Sequence, residues 1–465
     1  MATTTAPDSS EHDTRLSRSI TTTLLFFFIV GDTLGAGIYT LVGTMATDVG
    51  GMLWLPLVIA LVLALLTAGT YAELITKYPH AGGASRYADR AFDKPFVTFI
   101  IGFLMLSSGI TTSAALANAF AGDYLASFFG DESLPSSVAI PVRLVFLAVL
   151  IAVNLRGVRE SLSANVVFTC IEVSGLVLVI VLAAIVFGSG DGDPSRILTP
   201  ASDTPLLSGA FAASITAFFS FLGFEAAANM AEEVKEPTRA YPRALFGAIL
   251  TAATVYLLIA LGAAIVVDPT TMAESTGPLL EVVKASGIGV PSWLFSAIAL
   301  VAITNGALLF MVMASRATYG LAEVGLLPSV FGKVLEGRRT PWVAILVVGG
   351  ATMAMSMIGD VSQLADTTVL LLVLVFISAN VSVLVLKKKD PVDHDHFTIP
   401  SVIPVLALLA SLLLLTQMES TVWLVGAGYR VVGVVLFLVA EHTTLVMPVS
   451  SSRLRKVTPC AVAGR

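Results

Sequence analysis

Apolar runs separated by short polar stretches follow one another along almost the whole chain. A helix that crosses the roughly 30 Å hydrocarbon core of a bilayer needs about 20 mostly apolar residues. About twelve runs are long enough, so the pattern predicts about twelve membrane-spanning helices. The predicted spans are 22–45, 51–75, 95–129, 139–155, 163–188, 207–232, 242–268, 291–320, 341–358, 361–386, 398–417 and 421–445.

The composition narrows the class of protein. Hydrophobic residues make up 56% of the 465 residues and charged residues 12%, and the mean hydropathy is +0.90. Soluble proteins have roughly 25% charged residues, so these values exclude a set of soluble domains and predict one all-α integral membrane protein. The net charge of −6 gives no positive electrostatic field that would attract nucleic acid, so we expect no nucleic-acid partner. The expected environment is the lipid bilayer. Two cysteines, Cys170 and Cys460, are too few for a disulfide framework or a zinc site, and we expect no metal or cofactor.

The positions of lysine and arginine orient the spans, because these residues are retained on the cytoplasmic side of a membrane. With the N-terminus inside, 22 of the 26 Lys and Arg residues fall on the cytoplasmic side. Both terminal tails, 1–20 and 447–465, are therefore predicted to be cytoplasmic in a multi-pass protein of the plasma membrane. We expect no cleavable signal before the first span. Arg143 and Arg430, within or at the edge of spans, are expected to extend their charged ends to the interface.

The first span contains a glycine-rich stretch at its centre, Gly31-Asp32-Thr33-Leu34-Gly35-Ala36-Gly37-Ile38. Residues without side chains let a helix break inside the membrane and let a ligand approach the main chain, provided that the break lines a cavity. A second half-helix starting here would present the N–H groups of Gly35, Ala36 and Gly37, and its positive end attracts a carboxylate. Close helix packing through small residues is the alternative explanation of the same spacing.

The sixth span has a similar interruption, Phe218-Phe219-Ser220-Phe221-Leu222-Gly223-Phe224-Glu225. Paired interruptions in the two halves of a membrane protein indicate a binding site. The first break opens a block of five helices within 21–190, and the second opens another within 205–388. Helices 11 and 12 follow within 398–446. Since five is odd, the second block enters the membrane from the opposite side, which allows an inverted repeat, although the two blocks share no visible residue-level similarity.

Several motifs occur in order along the chain. They are Gly31 to Tyr39 with Leu41-Val42-Gly43, Tyr71-Ala72-Glu73-Leu74, Ala81 to Tyr87, Phe221 to Glu225, Ala231 to Pro237, Pro242-Arg243-Ala244 and Gly325 to Pro328. With these motifs the chain resembles the amino acid-polyamine-organocation transporters, and its first break is most similar to the cationic amino acid transporter branch. The resemblance extends over roughly 20–345. It implies the LeuT-type fold, with two inverted five-helix repeats plus two peripheral helices.

The resemblance implies that the main chain at the two breaks binds the substrate. The groups concerned are the N–H groups of Gly35, Ala36 and Gly37 for a carboxylate, and the carbonyls of Thr33, Phe219, Ser220 and Leu222 for an ammonium. The Phe219 ring stands where relatives have an aromatic gate that covers bound substrate. An ordinary core position is the alternative for this ring.

Three acidic residues lie inside predicted spans, where an ionisable group is expensive unless it is paired or functional. Asp32 stands where the cationic branch generally has a small polar residue, and it would bind a cation or a proton, or cap the broken helix. Glu172 follows Asn165 and Thr169 on helix 5, at a place where many relatives have a lysine. The coupling scheme that relatives base on that lysine therefore cannot apply to this chain. Glu172 could instead bind a proton, a cationic substrate or sodium. Glu225 would sense protons or make a structural hydrogen bond.

The leading hypothesis is a secondary active transporter that carries an amino acid or related amine across the plasma membrane by alternating access. A proton is the candidate coupling ion, and the acidic residues slightly favour cationic amino acids. The alternatives are a polyamine or amino acid exchanger, and a non-transporting amino acid sensor on the same fold. The sequence shows no nucleotide-binding loop, selectivity loop or intramembrane histidine site, so we expect neither a primary pump, a channel nor an enzyme.

Other polar residues have simpler explanations. Thr112, Ser113 and Asn305 lie in predicted spans, where they would face the cavity or make hydrogen bonds between helices. His394 and His396 lie in a polar loop without further ligands, so we expect no metal there.

Overall fold

The computed structural model describes residues 20–79, 83–130, 134–156, 162–201, 205–335, 340–390, 392 and 394–446. Apart from Ile20, the two predicted cytoplasmic tails lie outside the described residues. In the described ranges the protein is all-α, with isolated bridges but no strand.

The α-helices are numbered in chain order. They are α1 (Thr22–Thr33), α2 (Ala36–Val49), α3 (Trp54–Lys77), α4 (Gly83–Phe92), α5 (Pro95–Phe120), α6 (Asp123–Ala126), α7 (Ser136–Arg156), α8 (Leu162–Ser189), α9 (Leu206–Ser220), α10 (Pro237–Val266), α11 (Pro269–Glu274), α12 (Pro278–Ala285), α13 (Ser292–Glu323), α14 (Trp342–Met355), α15 (Val361–Lys389), α16 (Val402–Leu415) and α17 (Ser420–Val446). Short 3₁₀ helices cover Pro194–Leu198, Phe224–Glu233 and Ser329–Gly332.

Nine helical segments in the described part of the chain are long and apolar enough to cross a membrane. Three shorter apolar helices, α9, α14 and α16, accompany them. Each predicted span overlaps one of these segments, and the expectation of an all-α membrane protein is confirmed. Four of the described α-helices, α5, α10, α11 and α12, start at proline, a residue favoured there because the N–H that it lacks has no helical partner in the first turn anyway.

Two regions differ from the sequence prediction. The sixth span, predicted over 207–232, is α-helical only as far as Ser220. The chain turns at Gly223, whose φ of +117° is a conformation that residues with side chains rarely adopt, and it continues as the 3₁₀ helix. The seventh span, predicted to start at 242, is α-helical from Pro237 onwards. The sequence pattern also missed α4, α11 and α12, because a search for long apolar runs does not detect short amphipathic helices.

The broken spans lie in the middle of the packed helices. α2 packs against α9, α1 packs against α8 and α10, and α5 lies between α13 and α15. A single β-bridge joins the start of α1 to the end of the second break: the Ile20 N–H donates to the Glu233 carbonyl at 3.0 Å, and the Lys235 N–H donates to the Ile20 carbonyl at 2.9 Å. The packing brings the two breaks together across the same space.

Candidate functional site

The first break is a sharp interruption of two residues. α1 ends at Thr33, and the Leu34 N–H donates to the Val30 carbonyl at 2.7 Å. Gly35 then adopts an extended conformation and α2 begins at Ala36. Gly35, the residue that precedes this helix start, has no side chain with which to cap it. The first N–H groups of α2 have no carbonyl partner within their own helix, and they lie at its positive end.

The glycines at the first break serve two purposes. A Cβ at Gly37 would lie 2.9 Å from the Ser220 Cα, and a Cβ at Gly31 would overlap the Thr169 side chain. These two glycines allow close packing of α2 on α9 and of α1 on α8. Gly35 has only its own turn nearby and lies at the break itself. Close packing and chain interruption, the two alternatives from the sequence, therefore apply to different glycines.

The second break is a tight turn. α9 ends at Ser220, the Phe221 N–H donates to the Phe218 carbonyl at 3.0 Å, and the Leu222 N–H donates to the Phe219 carbonyl at 3.1 Å. A Cβ at Gly223 would lie 2.9 Å from the Asp32 Cγ, so this position needs glycine for space as well as for its backbone angle.

A central cavity lies between the two breaks. It is lined by Gly31, Asp32, Thr33, Gly35, Ala36, Gly37, Thr112, Leu116, Glu172, Phe219, Ser220, Leu222, Gly306, Leu309 and Phe310. All eight residues predicted to bind substrate are in this lining. Its volume is about 20 Å³, and one water molecule takes roughly 10–15 Å³ on the same measure. The cavity in this conformation is therefore smaller than an amino acid.

Glu172 is fully buried and reaches the cavity from α8. Its Oε1 accepts a hydrogen bond from the Asn305 Nδ2 at 3.0 Å, and its main-chain carbonyl accepts one from the Tyr39 hydroxyl at 2.6 Å. Its Oε2 has no hydrogen-bond partner among the described residues, and the same holds for the Thr33 and Ser220 hydroxyls. Three unsatisfied polar atoms therefore belong to residues of one cavity, and buried polar atoms are normally paired.

Tyr256 is a residue of this region that the sequence analysis missed. Its hydroxyl, fully buried on α10, is hydrogen-bonded to the Thr33 carbonyl and lies 2.9 Å from the Ser220 carbonyl. These carbonyls end the helices before the two breaks. A polar aromatic residue within a long apolar span was the available signal, because a buried tyrosine hydroxyl usually has a partner.

The other predicted polar residues have different positions. Glu225 does not line the cavity: its Oε2 accepts the Gly223 N–H at 2.9 Å, which stabilises the turn. Thr112 lines the cavity and contacts the Thr368 hydroxyl at 3.2 Å. The Ser113 hydroxyl donates to the Ala307 carbonyl at 3.1 Å, a bond between helices. His394 lies in the segment before α16, with Nε2 3.4 Å from the Thr76 carbonyl, and no group of three metal ligands occurs in the described ranges.

The lining of the cavity is polar and acidic. It combines a helix start, three unsatisfied polar atoms and two carboxylates, Asp32 and Glu172, and none of the residues described in its lining is basic. Broken helices that meet at a buried site inside an all-helical membrane protein define the class of membrane carriers.

Comparison with known proteins identifies the family within this class. The family model described as amino acid permease matches residues 20–450. The chain belongs to this family, which is part of the amino acid-polyamine-organocation superfamily. Its members are transporters and not enzymes.

Individual relatives differ in the substrates that their names give. The chain is 29% identical over 407 residues to "Cationic amino acid transporter 2, vacuolar" of Arabidopsis thaliana, a match that covers 85% of the chain and 63% of that relative. The chain thus spans less than two thirds of this relative's length. It is 24% identical to the branched-chain amino acid permease BcaP of Bacillus subtilis (90% and 92% covered) and 25% identical to the methylthioribose transporter of the same organism (92% and 96% covered).

Proposed function

We propose that the protein is a secondary active transporter that carries amino acids across the plasma membrane by alternating access. The observation that supports this most directly is the meeting of both helix breaks at one cavity, which contains the start of α2 and three polar atoms without a hydrogen-bond partner among the described residues. Membership of the amino acid permease family supports the same substrate class.

In this proposal the substrate binds mainly to the main chain. Its carboxylate would accept hydrogen bonds from the N–H groups of Gly35, Ala36 and Gly37 at the start of α2. Its ammonium would bind carbonyls at the ends of the broken helices, which attract cations. These are the carbonyls of Thr33, Phe219, Ser220 and Leu222. Tyr256 now contacts two of them, so its hydroxyl would have to share them with the ammonium.

Alternating access is supported by the size of the cavity. A space of about 20 Å³ does not accommodate an amino acid, so lining residues must move for binding and release. Phe219 lines the cavity and is 7% exposed, and its ring is our candidate for the gate. The β-bridge at Ile20 supports a joint movement of the two broken helices, because it ties the start of one to the end of the other.

We extend the proposal to the fold and its orientation. With α9, α14 and α16 counted as spans, the helices make twelve crossings, arranged as two inverted five-helix repeats plus two peripheral helices. The presence of a break in the first and in the sixth apolar segment supports this division. The distribution of Lys and Arg supports cytoplasmic termini.

Cationic amino acids are the favoured substrates in this proposal, and a proton is the coupling ion. Asp32 and Glu172 line a cavity in which no described residue is basic, and this supports a positively charged ligand. Glu172 is the better candidate for coupling, because Glu225 is engaged with the Gly223 N–H outside the cavity lining.

Uptake into sealed liposomes containing the purified full-length chain tests the proposal. We expect saturable uptake of at least one of the labelled amino acids arginine, leucine and alanine. Labelled putrescine, an amine without a carboxylate, is tested beside them. Internal substrate should accelerate uptake of label by counterflow, which a sensor does not do. Cooperative unfolding of the purified protein shows that it is folded. If such protein shows neither uptake nor counterflow with any of the amino acids tested, the proposed function is contradicted.

A further inference from the structure

The Glu172 carboxyl is satisfied on one side only. Asn305, on α13, donates to Oε1 at 3.0 Å and so fixes the orientation of the group. Oε2 is buried and has no hydrogen-bond partner in the described part of the chain. An amide donor on one oxygen stabilises a carboxylate, and a buried carboxylate is strongly destabilised without a further proton or cation. A positively charged partner or a proton at the open oxygen would remove this cost.

Among the described residues, the groups that face Glu172 do not supply this positive charge. The Tyr39 hydroxyl from α2 donates to the Glu172 main-chain carbonyl, and the Tyr256 hydroxyl from α10 contacts the Thr33 and Ser220 carbonyls, so both are neutral groups that already have partners. Asp32, from α1, brings a second acidic group to the same cavity. The helix α12 also packs on α8, and its charged residues Glu281 and Lys284 pair with each other at 2.8 Å.

We propose that the Glu172 Oε2 is a cation subsite at which a substrate ammonium and a proton exclude one another, so that the protein exchanges an organic cation for a proton. Because the Asn305 amide occupies Oε1, Oε2 is the one oxygen left to accept a cation, and it cannot bind an ammonium while it carries a proton. The ammonium belongs either to the α-amino group or to the side chain of the substrate.

Exchange differs from symport in direction and in charge. Arrival of the ammonium on one side of the membrane displaces a proton, and protonation on the other side releases the ammonium. The exchange of lysine, with one net positive charge, for one proton moves no net charge. Symport of lysine with a proton would move two positive charges. This inference depends on the proposed transport function, but it also predicts a direction of proton flow, opposite to that of the substrate, which the transport function alone does not predict.

Transport kinetics in proteoliposomes test the subsite. With equal pH on both sides, the apparent KM for lysine should rise as the pH falls, by up to about tenfold per pH unit where Glu172 is protonated. Glu172→Gln should make this KM independent of pH and raise it at alkaline pH by about ten- to hundredfold, the range expected for a lost hydrogen bond to a charged group. The same measurement with leucine and putrescine identifies which ammonium of the substrate binds Glu172. A pH-dependent KM for lysine and putrescine alone indicates the side-chain ammonium, and a pH-dependent KM for leucine as well indicates the α-ammonium.

Two matched variants separate Glu172 from other acidic groups. Asp366, on α15, accepts a hydrogen bond from the Thr216 hydroxyl at 3.1 Å and does not line the cavity, so Asp366→Asn should keep the pH dependence of KM. Asp32→Asn should keep it too, although lysine binding becomes weaker. Retention of the pH dependence in Glu172→Gln, or its loss in Asp366→Asn or Asp32→Asn, would overturn the assignment.

The direction of proton flow gives an independent result. Lysine added outside should draw protons out of the liposomes and raise the interior pH, which a pH dye trapped inside should report as alkalinisation. Because the exchange moves no net charge, an imposed membrane potential should leave the rate unchanged. Acidification on lysine addition, or uptake driven by a sodium gradient at fixed pH, would overturn the exchange. Absence of all uptake would instead contradict the proposed function.

Chemical labelling of the unaltered chain covers the case in which Glu172→Gln does not fold. A hydrophobic carbodiimide reacts with protonated buried carboxyl groups, and mass spectrometry of peptides locates the adduct. Lysine should slow labelling of Glu172 at least several-fold while labelling of Asp366 stays the same. Equal labelling of Glu172 with and without lysine would contradict the subsite.

Discussion

At the scale of single residues, Tyr256 connects the two helix breaks. Its hydroxyl contacts the Thr33 and Ser220 carbonyls, and its ring packs edge-on against Phe221 with centroids 5.3 Å apart. Tyr256→Phe leaves these buried carbonyls without that donor. We expect it to lower the free energy of unfolding by about 1–3 kcal/mol, measured by thermal unfolding in detergent.

Tyr87→Phe is the matched control for this prediction. Tyr87 is fully buried like Tyr256, but its hydroxyl has no hydrogen-bond partner among the described residues. Its removal should change the free energy of unfolding by less than about 1 kcal/mol. Equal effects of the two substitutions would show that the Tyr256 hydroxyl contributes nothing beyond its burial.

The positions of the site residues were easier to predict from sequence than their partners. Asp32, Thr33 and Ser220 were located at the cavity because glycine-broken spans and the family motifs mark the main chain. The bond between Glu172 and Asn305 joins residues 133 positions apart, and no local pattern encodes such a contact. Tyr256 was missed for the same reason, since its partners lie on α1 and α9.

At the scale of helices, the close approach of α2 and α9 depends on Gly37. A Cβ there would lie 2.9 Å from the Ser220 Cα and 3.0 Å from its hydroxyl, and the main chain cannot easily move away. Gly37→Ala should therefore destabilise the protein by about 1–3 kcal/mol and abolish uptake. Thermal unfolding and proteoliposome uptake measure the two effects.

Gly320→Ala in α13 is the control for Gly37→Ala. No atom lies within 4 Å of a Cβ at Gly320 among the described residues. Alanine also has a higher helix propensity than glycine, so we expect unchanged or slightly higher stability, by up to about 1 kcal/mol. A comparable loss in both variants would exclude contact with Ser220 as the cause.

The short helix α11 depends on an N-terminal cap. Asp268 accepts hydrogen bonds from the Thr270 hydroxyl at 2.6 Å and the Thr270 N–H at 3.0 Å, and these bonds hold the pKa of Asp268 below its ordinary value of 3.8. Stability from a carboxylate with a lowered pKa is present above the ordinary value and is lost as the pH falls through the lowered one.

Asp268→Ala should consequently cost about 0.5–2 kcal/mol at pH 7 and clearly less at pH 3. Asp268→Asn keeps an acceptor oxygen and should lose less stability at pH 7. The thermal unfolding temperatures of the three proteins at both pH values test this. A cost of Asp268→Ala that does not change with pH would refute a role for the carboxylate charge.

At the scale of the whole molecule, the order of the apolar segments was predictable, whereas the contacts between their ends were not. Each predicted span overlaps an observed helix because burial in lipid requires long apolar runs with internally paired main chains. The segment between α15 and α16 was read only as a polar loop with two histidines. In the structure it binds to the end of α3, with the Phe397 N–H donating to the Thr76 hydroxyl at 3.0 Å.

Glu73 and Lys387 are the charged centre of that connection. The Lys387 Nζ lies 2.9 Å from the Glu73 Oε2, and the same oxygen accepts the Ile399 N–H at 2.9 Å. The Lys387 Nζ also donates to the Ile399 carbonyl at 2.5 Å. The Glu73 side chain is 1% exposed and that of Lys387 is 21% exposed, so solvent screens this pair only partly. Three parts of the chain, α3, α15 and the segment before α16, therefore meet at one ion pair.

A double-mutant cycle tests whether this ion pair stabilises the whole molecule. Glu73→Gln and Lys387→Met should each reduce the free energy of unfolding, and the double variant should lose less than the sum, with a coupling of about 0.5–3 kcal/mol. Lys284→Met, which breaks the more exposed pair with Glu281, should cost no more than about 1 kcal/mol. Additive losses at Glu73 and Lys387 would mean that their hydrogen bonds to Ile399, rather than their mutual attraction, hold the three parts together.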